Sequence, residues 1–248
     1  MLPDVTAWAG LELVEPLRGG ARNPVFLARR GGERFAVRVS GRPEPALTWE
    51  LDLLGHLAAY GVAVAGIVPA DDGRRWGAGG VLVHPFVTGG PPSTADDWRR
   101  VVAAAGSVHE CTRGWPQRPG FASSTALLTT ARGGDVDLAA MPDSAGELVR
   151  ASWRRLPPTP PTAVHGDLGA GNVLVDGDQV TLIDWDESRA DVPWLDFAHL
   201  PEDIEVPVPM DRADLVTAGV AWEVATCWVA EPEYAARRLA ELRGRTGS

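Results

Sequence analysis

The residues from Val164 to Asp186 combine side chains and spacings that suit metal and phosphate chemistry. This stretch, VHGDLGAGNVLVDGDQVTLIDWD, holds Asp167, then Asn172 five residues later, then Asp184 behind a short apolar run. Two runs rich in β-branched residues flank Asp176-Gly177-Asp178, and this turn chemistry predicts a β-hairpin. The hairpin would bring Asn172, just before its first strand, close to Asp184, just after its second. Carboxylate and amide oxygens suit Mg²⁺, which takes water and phosphate oxygens for the rest of its shell.

The order of these residues has a precedent in phosphoryl-transfer enzymes. Protein kinases carry H-R-D-x-x-x-x-N in the catalytic loop and a later Asp that holds Mg²⁺. Here the loop is HGDLGAGN, with Gly166 in place of the Arg, and the later Asp stands in an IDWD sequence instead of DFG. The pattern resembles the aminoglycoside phosphotransferase and choline kinase-like family of small-molecule kinases. The alternative is a polar loop whose Asp and Asn only cap turns, and it requires motif, hairpin and IDWD to coincide by accident.

This resemblance implies an α+β, protein-kinase-like fold with two lobes. An antiparallel five-stranded N-lobe with a nucleotide-binding sheet and helix C is expected at residues 1–87, and a mainly helical C-lobe with the catalytic loop and substrate site at residues 88–248. The Thr88-Gly89-Gly90-Pro91-Pro92 stretch is the clearest composition break and marks the boundary between them.

Periodicity within the first 87 residues agrees with that plan. Residues 34–40 alternate as a strand, and residues 47–60 carry an apolar stripe that predicts a helix. Residues 62–69 and 80–83 predict further strands of the same sheet.

The resemblance also implies roles for individual residues. Asp167 would accept the proton of an attacking hydroxyl, while Asn172 and Asp184 would hold Mg²⁺ on the phosphates of ATP. Nucleotide contacts are expected from a turn-rich loop, a strand and helix pair, and a hinge whose main chain meets adenine: Gly19, Gly20, Asn23, Arg38, Glu50, His84, Phe86 and Val87. Taken without the resemblance, the glycine loop is an ordinary hairpin turn.

Arg38 stands where protein kinases keep a strand Lys, and Glu50 stands where their helix C Glu pairs with it. We predict a partly buried Arg38–Glu50 ion pair that aims the guanidinium at phosphate, which Arg can grip with two donors. The alternatives are a solvent-facing strand Arg and a Glu that only favours the helix N-terminus.

Supporting and substrate residues are less sharply marked. By resemblance, His165 and Asp196 hold the catalytic loop in place, and Asp191 competes with Asp196 for that role. Asp186 could assist a second ion. Candidate carboxylates for a cationic substrate are Asp186, Glu202, Asp203 and Glu231.

Composition narrows the classes of partner. The net charge of -10 argues against a broad basic face for nucleic acid and favours a cationic substrate. The longest apolar runs fall short of the roughly 20 residues of a membrane helix, and the N-terminus does not read as a signal peptide. The two cysteines form no CxxC pair. We therefore expect a cytoplasmic protein with no nucleic-acid or membrane partner, while the oligomeric state cannot be read from the sequence.

The leading hypothesis is an ATP- and Mg²⁺-dependent kinase that phosphorylates a hydroxyl of a small molecule. An aminoglycoside or related cationic antibiotic is the first candidate substrate, which would make this an antibiotic-resistance activity. A metabolic substrate such as choline, homoserine or an amino sugar is the second. A nucleotide-binding pseudokinase with a regulatory role is the alternative from a different class.

Overall fold

The chain forms two compact units in the computed structural model, which describes residues 2–17 and 24–247. The first unit comprises Met1–Pro92 and Ala170–Asp186, and the second comprises Ser93–Gly169 and Glu187–Ser248. The predicted lobe boundary after residue 87 stays a prediction; the division by contacts also assigns Ala170–Asp186 to the first unit.

The described residues form ten strands: β1 (Glu12–Pro16), β2 (Val25–Arg30), β3 (Glu33–Val39), β4 (Val81–Pro85), β5 (Arg132–Gly133), β6 (Val136–Asp137), β7 (Thr162–Val164), β8 (Val173–Asp176), β9 (Gln179–Leu182) and β10 (Arg189–Asp191). In the same part of the chain there are five α-helices: α1 (Glu44–Ala59), α2 (Ala95–Cys111), α3 (Asp143–Trp153), α4 (Arg212–Cys227) and α5 (Pro232–Thr246). Five short 3-10 helices lie at Ala78–Gly80, Ala126–Leu128, Leu138–Ala140, Ala170–Asn172 and Pro193–Phe197. None of the helices in these residues is long and apolar enough to span a bilayer.

The first unit is built on an antiparallel sheet in the order β1-β2-β3-β4. The alternation predicted for β3 is present, because Phe35 and Val37 are buried on the face that packs with Trp8. Helix α1 begins with Pro45 in its first turn, where the missing N–H costs no hydrogen bond, and it ends before Gly61, whose φ of 80° suits the chain reversal.

The sheet has four strands among the described residues, and not the five that were predicted. Residues 62–69 run as irregular chain whose contacts include one bridge from Val64 to Leu182 and one hydrogen bond from Val68 N to the Val83 carbonyl (2.7 Å). The carbonyl of Gly66 accepts from the His84 ring, and Pro69 has no N–H to donate to a ladder. Both features prevent a regular fifth strand.

The predicted β8–β9 hairpin is confirmed. Its strands pair antiparallel from Val173↔Leu182 to Asp176↔Gln179, and Gly177 takes the positive φ of 58° that the tight turn needs. A bridge between Gly90 and Val175 ties the hairpin to residues of the same unit.

The second unit is mainly helical, as predicted. Helix α2 starts with a capping box in which Thr94 accepts from Asp97 N and the Asp97 carboxylate accepts from Thr94 N. Helices α3, α4 and α5 share one apolar cluster that contains Trp153 and Leu242. Strands β7 and β10 pair antiparallel. β7 ends just before the HGD motif, and β10 begins shortly after the IDWD sequence.

Candidate active site

A cavity of about 330 Å³ lies within the first unit. Its walls are largely apolar side chains from the sheet, α1 and the hairpin: Leu17, Val25, Ala36, Leu54, Ala65, Leu174 and Ile183. The same cavity is lined by polar groups: Arg38, Glu50, His84, Asn172 and Asp184. Apolar walls with a few convergent polar groups are typical of small-molecule sites.

The hairpin brings Asn172 and Asp184 together at one end. Strand pairing places Val173 opposite Leu182, and Ile183 N donates to the Asn172 carbonyl (3.0 Å), so the two polar residues follow from the same register. Asp184 adopts a left-handed φ of 60°, which is uncommon outside glycine and is more frequent at functional sites. The amide and carboxylate oxygens suit a hard divalent cation whose remaining ligands are phosphate and water. The described residues hold no cluster of three or more His, Cys, Asp or Glu that would bind a metal unaided.

The predicted ion pair between Arg38 and Glu50 is present, and it is more deeply buried than expected. The side chains are 5% and 1% exposed, and Arg38 NH2 donates to Glu50 Oε1. Arg38 NH1 also lies 3.3 Å from Asp184 Oδ1. Burial alone would lower the pKa of Arg38, but Glu50, Asp186 and Asp184 together raise that pKa above its usual value. The guanidinium is therefore charged and held at the carboxylate of the IDWD segment.

Asp186 is enclosed by cations instead of facing the cavity. Its Oδ2 accepts from Arg42 Nε (3.0 Å) and lies 2.8 Å from Arg42 NH2, while Oδ1 is 3.3 Å from Ser40 Oγ and 3.6 Å from Arg38 NH1. The carboxylate is nearly buried, so a bidentate arginine compensates its loss of water. Between Asp184 and Asp186, the Trp185 side chain is buried and lines the cavity, and its indole N–H donates to the Leu182 carbonyl.

In the second unit, Asp196 braces the loop that carries the HGD motif. Its Oδ2 accepts from the backbone N–H of His165 (3.0 Å), and Oδ1 accepts from that of Gly166 (2.9 Å). His109 Nε2 lies 2.8 Å from the same carboxylate. Burial acts to raise the pKa of Asp196, but the hydrogen bond and charge of His109 outweigh it and hold that pKa below the usual value. Asp196 therefore holds the backbone of His165 and Gly166, and His109 packs against the same carboxylate.

Asp191, the competing candidate, serves a different segment. It is completely buried and accepts hydrogen bonds from Ser124 N, Ser124 Oγ and Arg189 Nε.

Asp167 is the last residue of the HGD motif, and its side chain is exposed. Its backbone N–H donates to His165 Nδ1 (3.4 Å). His165 is itself buried beneath the loop.

A glycine is required where protein kinases have the Arg of HRD. Gly166 has a φ of 87°, and a Cβ there would come within 2.4 Å of the Glu187 carbonyl and 2.9 Å of Arg189 NH1. The side chain of Arg189 stacks on Trp222, with its guanidinium carbon 3.4 Å from the ring centroid. A buried arginine from β10 thus lies against the loop that in this chain has no arginine of its own.

The remaining predicted residues fall in three places. Phe86 and Val87 line the cavity next to His84. Glu202 and Asp203 are exposed in the second unit, and Glu231 is half-buried at the start of α5. Gly19, Gly20 and Asn23 lie outside the described residues.

Sequence reasoning missed Arg42 and Ser40, and it left His109 without a partner. Arg42 meets Asp186 across 144 positions of sequence, and His109 meets Asp196 across 87. Arg42 is a single arginine after β3, and its position in the sequence does not indicate a partner.

The chain belongs to the phosphotransferase enzyme family (APH), whose model matches residues 13–238. It is therefore a phosphotransferase of this family. No significant match was found among curated protein sequences.

Solved structures with the same fold include three small-molecule kinases. An amicoumacin kinase in complex with AMP-PNP, Ca²⁺ and Ami is 16% identical, with a TM-score of 0.67 over 96% of this chain and 89% of that one. A microcompartment-associated aminopropanol kinase is 21% identical, with a TM-score of 0.65 over 97% and 93%. A choline/ethanolamine kinase family protein from Mesorhizobium loti is 18% identical, with a TM-score of 0.55 over 96% and 88%. At these identities the similarity establishes the fold.

Proposed function

We propose that this protein transfers the γ-phosphate of ATP to a hydroxyl of a small molecule. One observation carries the proposal: an ion-paired arginine, an amide and a carboxylate converge on a single apolar-walled cavity. Phosphoryl transfer asks a protein mainly to position groups and to neutralise charge, and this set supplies both. Membership of the phosphotransferase family supports the same reaction.

The cavity divides into a phosphate end and a base end. Arg38, aimed by Glu50, would grip phosphate at the polar end, and Asn172 and Asp184 would hold Mg²⁺ there. There the metal would neutralise charge on the transferring phosphoryl group. The base would lie at His84, Phe86 and Val87. Gly19, Gly20 and Asn23 lie outside the described residues and remain predicted phosphate contacts.

Asp167 is the group proposed to receive the hydroxyl proton. Its exposed carboxylate can accept a hydrogen bond from an incoming alcohol, while the backbone beneath it is held by Asp196 and His165. A braced backbone with an accessible carboxylate suits a general base, which has to reach the proton of the bound alcohol.

The proposed substrate is a hydroxylated cation, with an aminoglycoside or related antibiotic as the first choice. The net charge of -10 favours the approach of cations. Glu202, Asp203 and Glu231 are accessible or half-accessible carboxylates of the second unit that could pair with amines. Amino alcohols are the second choice, because two proteins of the same fold are described as kinases for such compounds. Choline, homoserine and amino sugars therefore belong in the same screen.

An ADP-release screen tests the proposal. Purified protein with ATP and Mg²⁺ is incubated with aminoglycosides, amino alcohols and small sugars, and hits are confirmed by the mass of one added phosphoryl group. We expect ADP release to require both the alcohol and an intact Asp167. If ATP binds but no alcohol stimulates ADP release, the regulatory pseudokinase becomes the better interpretation. If ATP does not bind, the nucleotide site itself is wrong.

A further inference from the structure

His84 is the penultimate residue of β4 and lines the cavity just before the hinge residues Phe86 and Val87. Strand pairing places it beside Ala36, two residues along β3 from Arg38. Because alternate residues of a strand share a face, Ala36 and Arg38 point the same way, and His84 lies toward the hinge end of that face. The imidazole is therefore on the base side of the cavity and not on the phosphate side.

One ring nitrogen of His84 is already committed. Nδ1 lies 2.8 Å from the carbonyl oxygen of Gly66, and a carbonyl can only accept, so Nδ1 carries the hydrogen. Burial, and then the charge of Arg38, lower the pKa of His84 to about 4, against weaker opposing effects of Glu50 and the carbonyls of Gly66 and Ala65. The ring is thus neutral near pH 7. Its Nε2 therefore holds a lone pair that can accept a hydrogen bond.

The hinge beside it offers a fixed pattern of main-chain groups. Phe86 N donates to the Arg34 carbonyl (3.1 Å), so Phe86 faces β3. In an antiparallel ladder the neighbouring residues face the opposite edge, which directs the Pro85 carbonyl away from β3. An extended continuation of the strand would direct the Val87 N–H the same way. An acceptor followed by a donor matches the amino group and ring nitrogen on the edge of adenine.

We propose that Nε2 of His84 accepts a hydrogen bond from the exocyclic amino group of adenine, and thereby selects ATP over GTP. The proposal rests on the nucleotide site of the proposed function. The adenine amino group has two hydrogens, one for the Pro85 carbonyl and one for His84. Guanine presents a carbonyl oxygen at the same ring position, so that His84 Nε2 and the Pro85 carbonyl would both face an acceptor. A buried polar group left unpaired in this way weakens binding more than the loss of one neutral hydrogen bond.

The alternative role for His84 is purely structural, as a latch on residues 62–69 through Gly66. His84→Asn separates the two, because the Asn amide can donate to Gly66 from near the position of Nδ1 but has no counterpart of Nε2. His56→Asn is the matched control, since His56 lies in α1 of the same unit and its ring packs on Tyr60.

The experiment is equilibrium binding of ATP, GTP and purine riboside triphosphate, which lacks the amino group, with Mg²⁺ present. For the unaltered protein we expect ATP to bind at least about tenfold more tightly than either analogue. His84→Asn should reduce the preference for ATP over the purine analogue by about threefold to tenfold, with the affinity for the analogue unchanged. His56→Asn should leave every ratio unchanged.

Three results overturn the proposal. The first is equal binding of ATP and the purine analogue by the unaltered protein. This result needs no variant, so it holds even if His84→Asn folds poorly. The second is an unchanged preference in a folded His84→Asn, which leaves the latch role. Absence of binding by all three nucleotides refutes the proposed function together with this inference, whereas equal binding of all three leaves the proposed function standing.

Discussion

At the scale of single residues, the two carboxylates of the HGD region occupy opposite environments. Asp196 is buried, accepts two backbone N–H groups and has a lowered pKa. Asp167 is exposed at the end of the braced segment. A buried, saturated carboxylate fixes geometry, while an accessible one is able to exchange a proton with an incoming hydroxyl. The difference comes from position and not from residue type.

Asp167→Asn tests the accessible carboxylate. The variant keeps the shape of the side chain and removes the proton acceptor, so kcat should fall by about 10² to 10⁴ while the dissociation constant for ATP stays within about twofold. Asp178→Asn, in the exposed turn of the β8–β9 hairpin, is the control and should be fully active. An active Asp167→Asn enzyme would show that another group takes the proton.

Gly166→Ala tests the close approach beneath the loop. The added Cβ would meet the Glu187 carbonyl, and the residue would be held at a φ of 87°. We expect the free energy of unfolding to fall by about 1–3 kcal/mol in urea titrations. Gly169→Ala is the matched control, because a Cβ there has open space and should cost less than about 1 kcal/mol. Equal stability of the two variants would contradict the packing seen at Gly166.

At the scale of elements, two arginines form ion pairs with three carboxylates. One arginine lies in β3 and the other just after it. Arg38 takes Glu50 and Asp184, and Arg42 takes Asp186 with help from Ser40. This division ties the end of the β8–β9 hairpin to the first sheet. Arg42, which is not part of the motif, therefore helps to hold the segment that carries Asp184.

Arg42→Met tests this tie. It leaves the Asp186 carboxylate nearly buried without its bidentate partner, so we expect a loss of about 3 kcal/mol in the free energy of unfolding. Adding Asp186→Asn should restore part of that loss, because it removes the nearly buried charge that Arg42 compensates. Arg74→Met, which breaks an exposed pair with Asp72, should leave the urea midpoint of unfolding nearly unchanged. A double variant that is as unstable as the sum of two independent losses would rule out coupling.

At the scale of the whole molecule, the buried titratable groups set how stability depends on pH. His84 has a pKa of about 4 in the folded protein, against 6.5 for an unperturbed histidine. Between pH 6.5 and about pH 4, His84 is protonated in the unfolded chain but stays neutral in the folded protein. The His84 contribution to stability is therefore full above pH 6.5, declines as the pH falls from 6.5 to about 4, and changes no further below that.

His84→Asn should remove this part of the pH dependence. Urea unfolding between pH 7 and pH 4.5 should show a steeper loss of stability for the unaltered protein than for the variant. His199, whose pKa burial also lowers, contributes in the same direction to both proteins and cancels in the comparison. Parallel curves for the two proteins would show that the folded His84 titrates near its usual pKa.

The sequence predicted the local features of this molecule with good accuracy. The β8–β9 hairpin followed from residue types and spacing. The Arg38–Glu50 pair and the family followed from the resemblance that the motif residues carry. Turn chemistry and strand alternation act over a few residues, so they can be read directly from the order of residues. The prediction of a fifth strand was wrong. The Gly66 carbonyl accepts from the His84 ring instead of from a neighbouring strand, and a side-chain contact of this kind leaves no periodic signal in the sequence.

What the sequence determined by itself is which side chains have the oxygen and nitrogen atoms for phosphoryl transfer, and in what order. Only the tertiary structure decided which side chain pairs with each carboxylate. Asp184 shares Arg38, Asp186 goes to Arg42, Asp191 goes to Arg189 and Asp196 goes to His109. Four similar carboxylates within 13 positions acquire different roles, because burial and ion pairing depend on distances in space that the spacing along the chain does not specify.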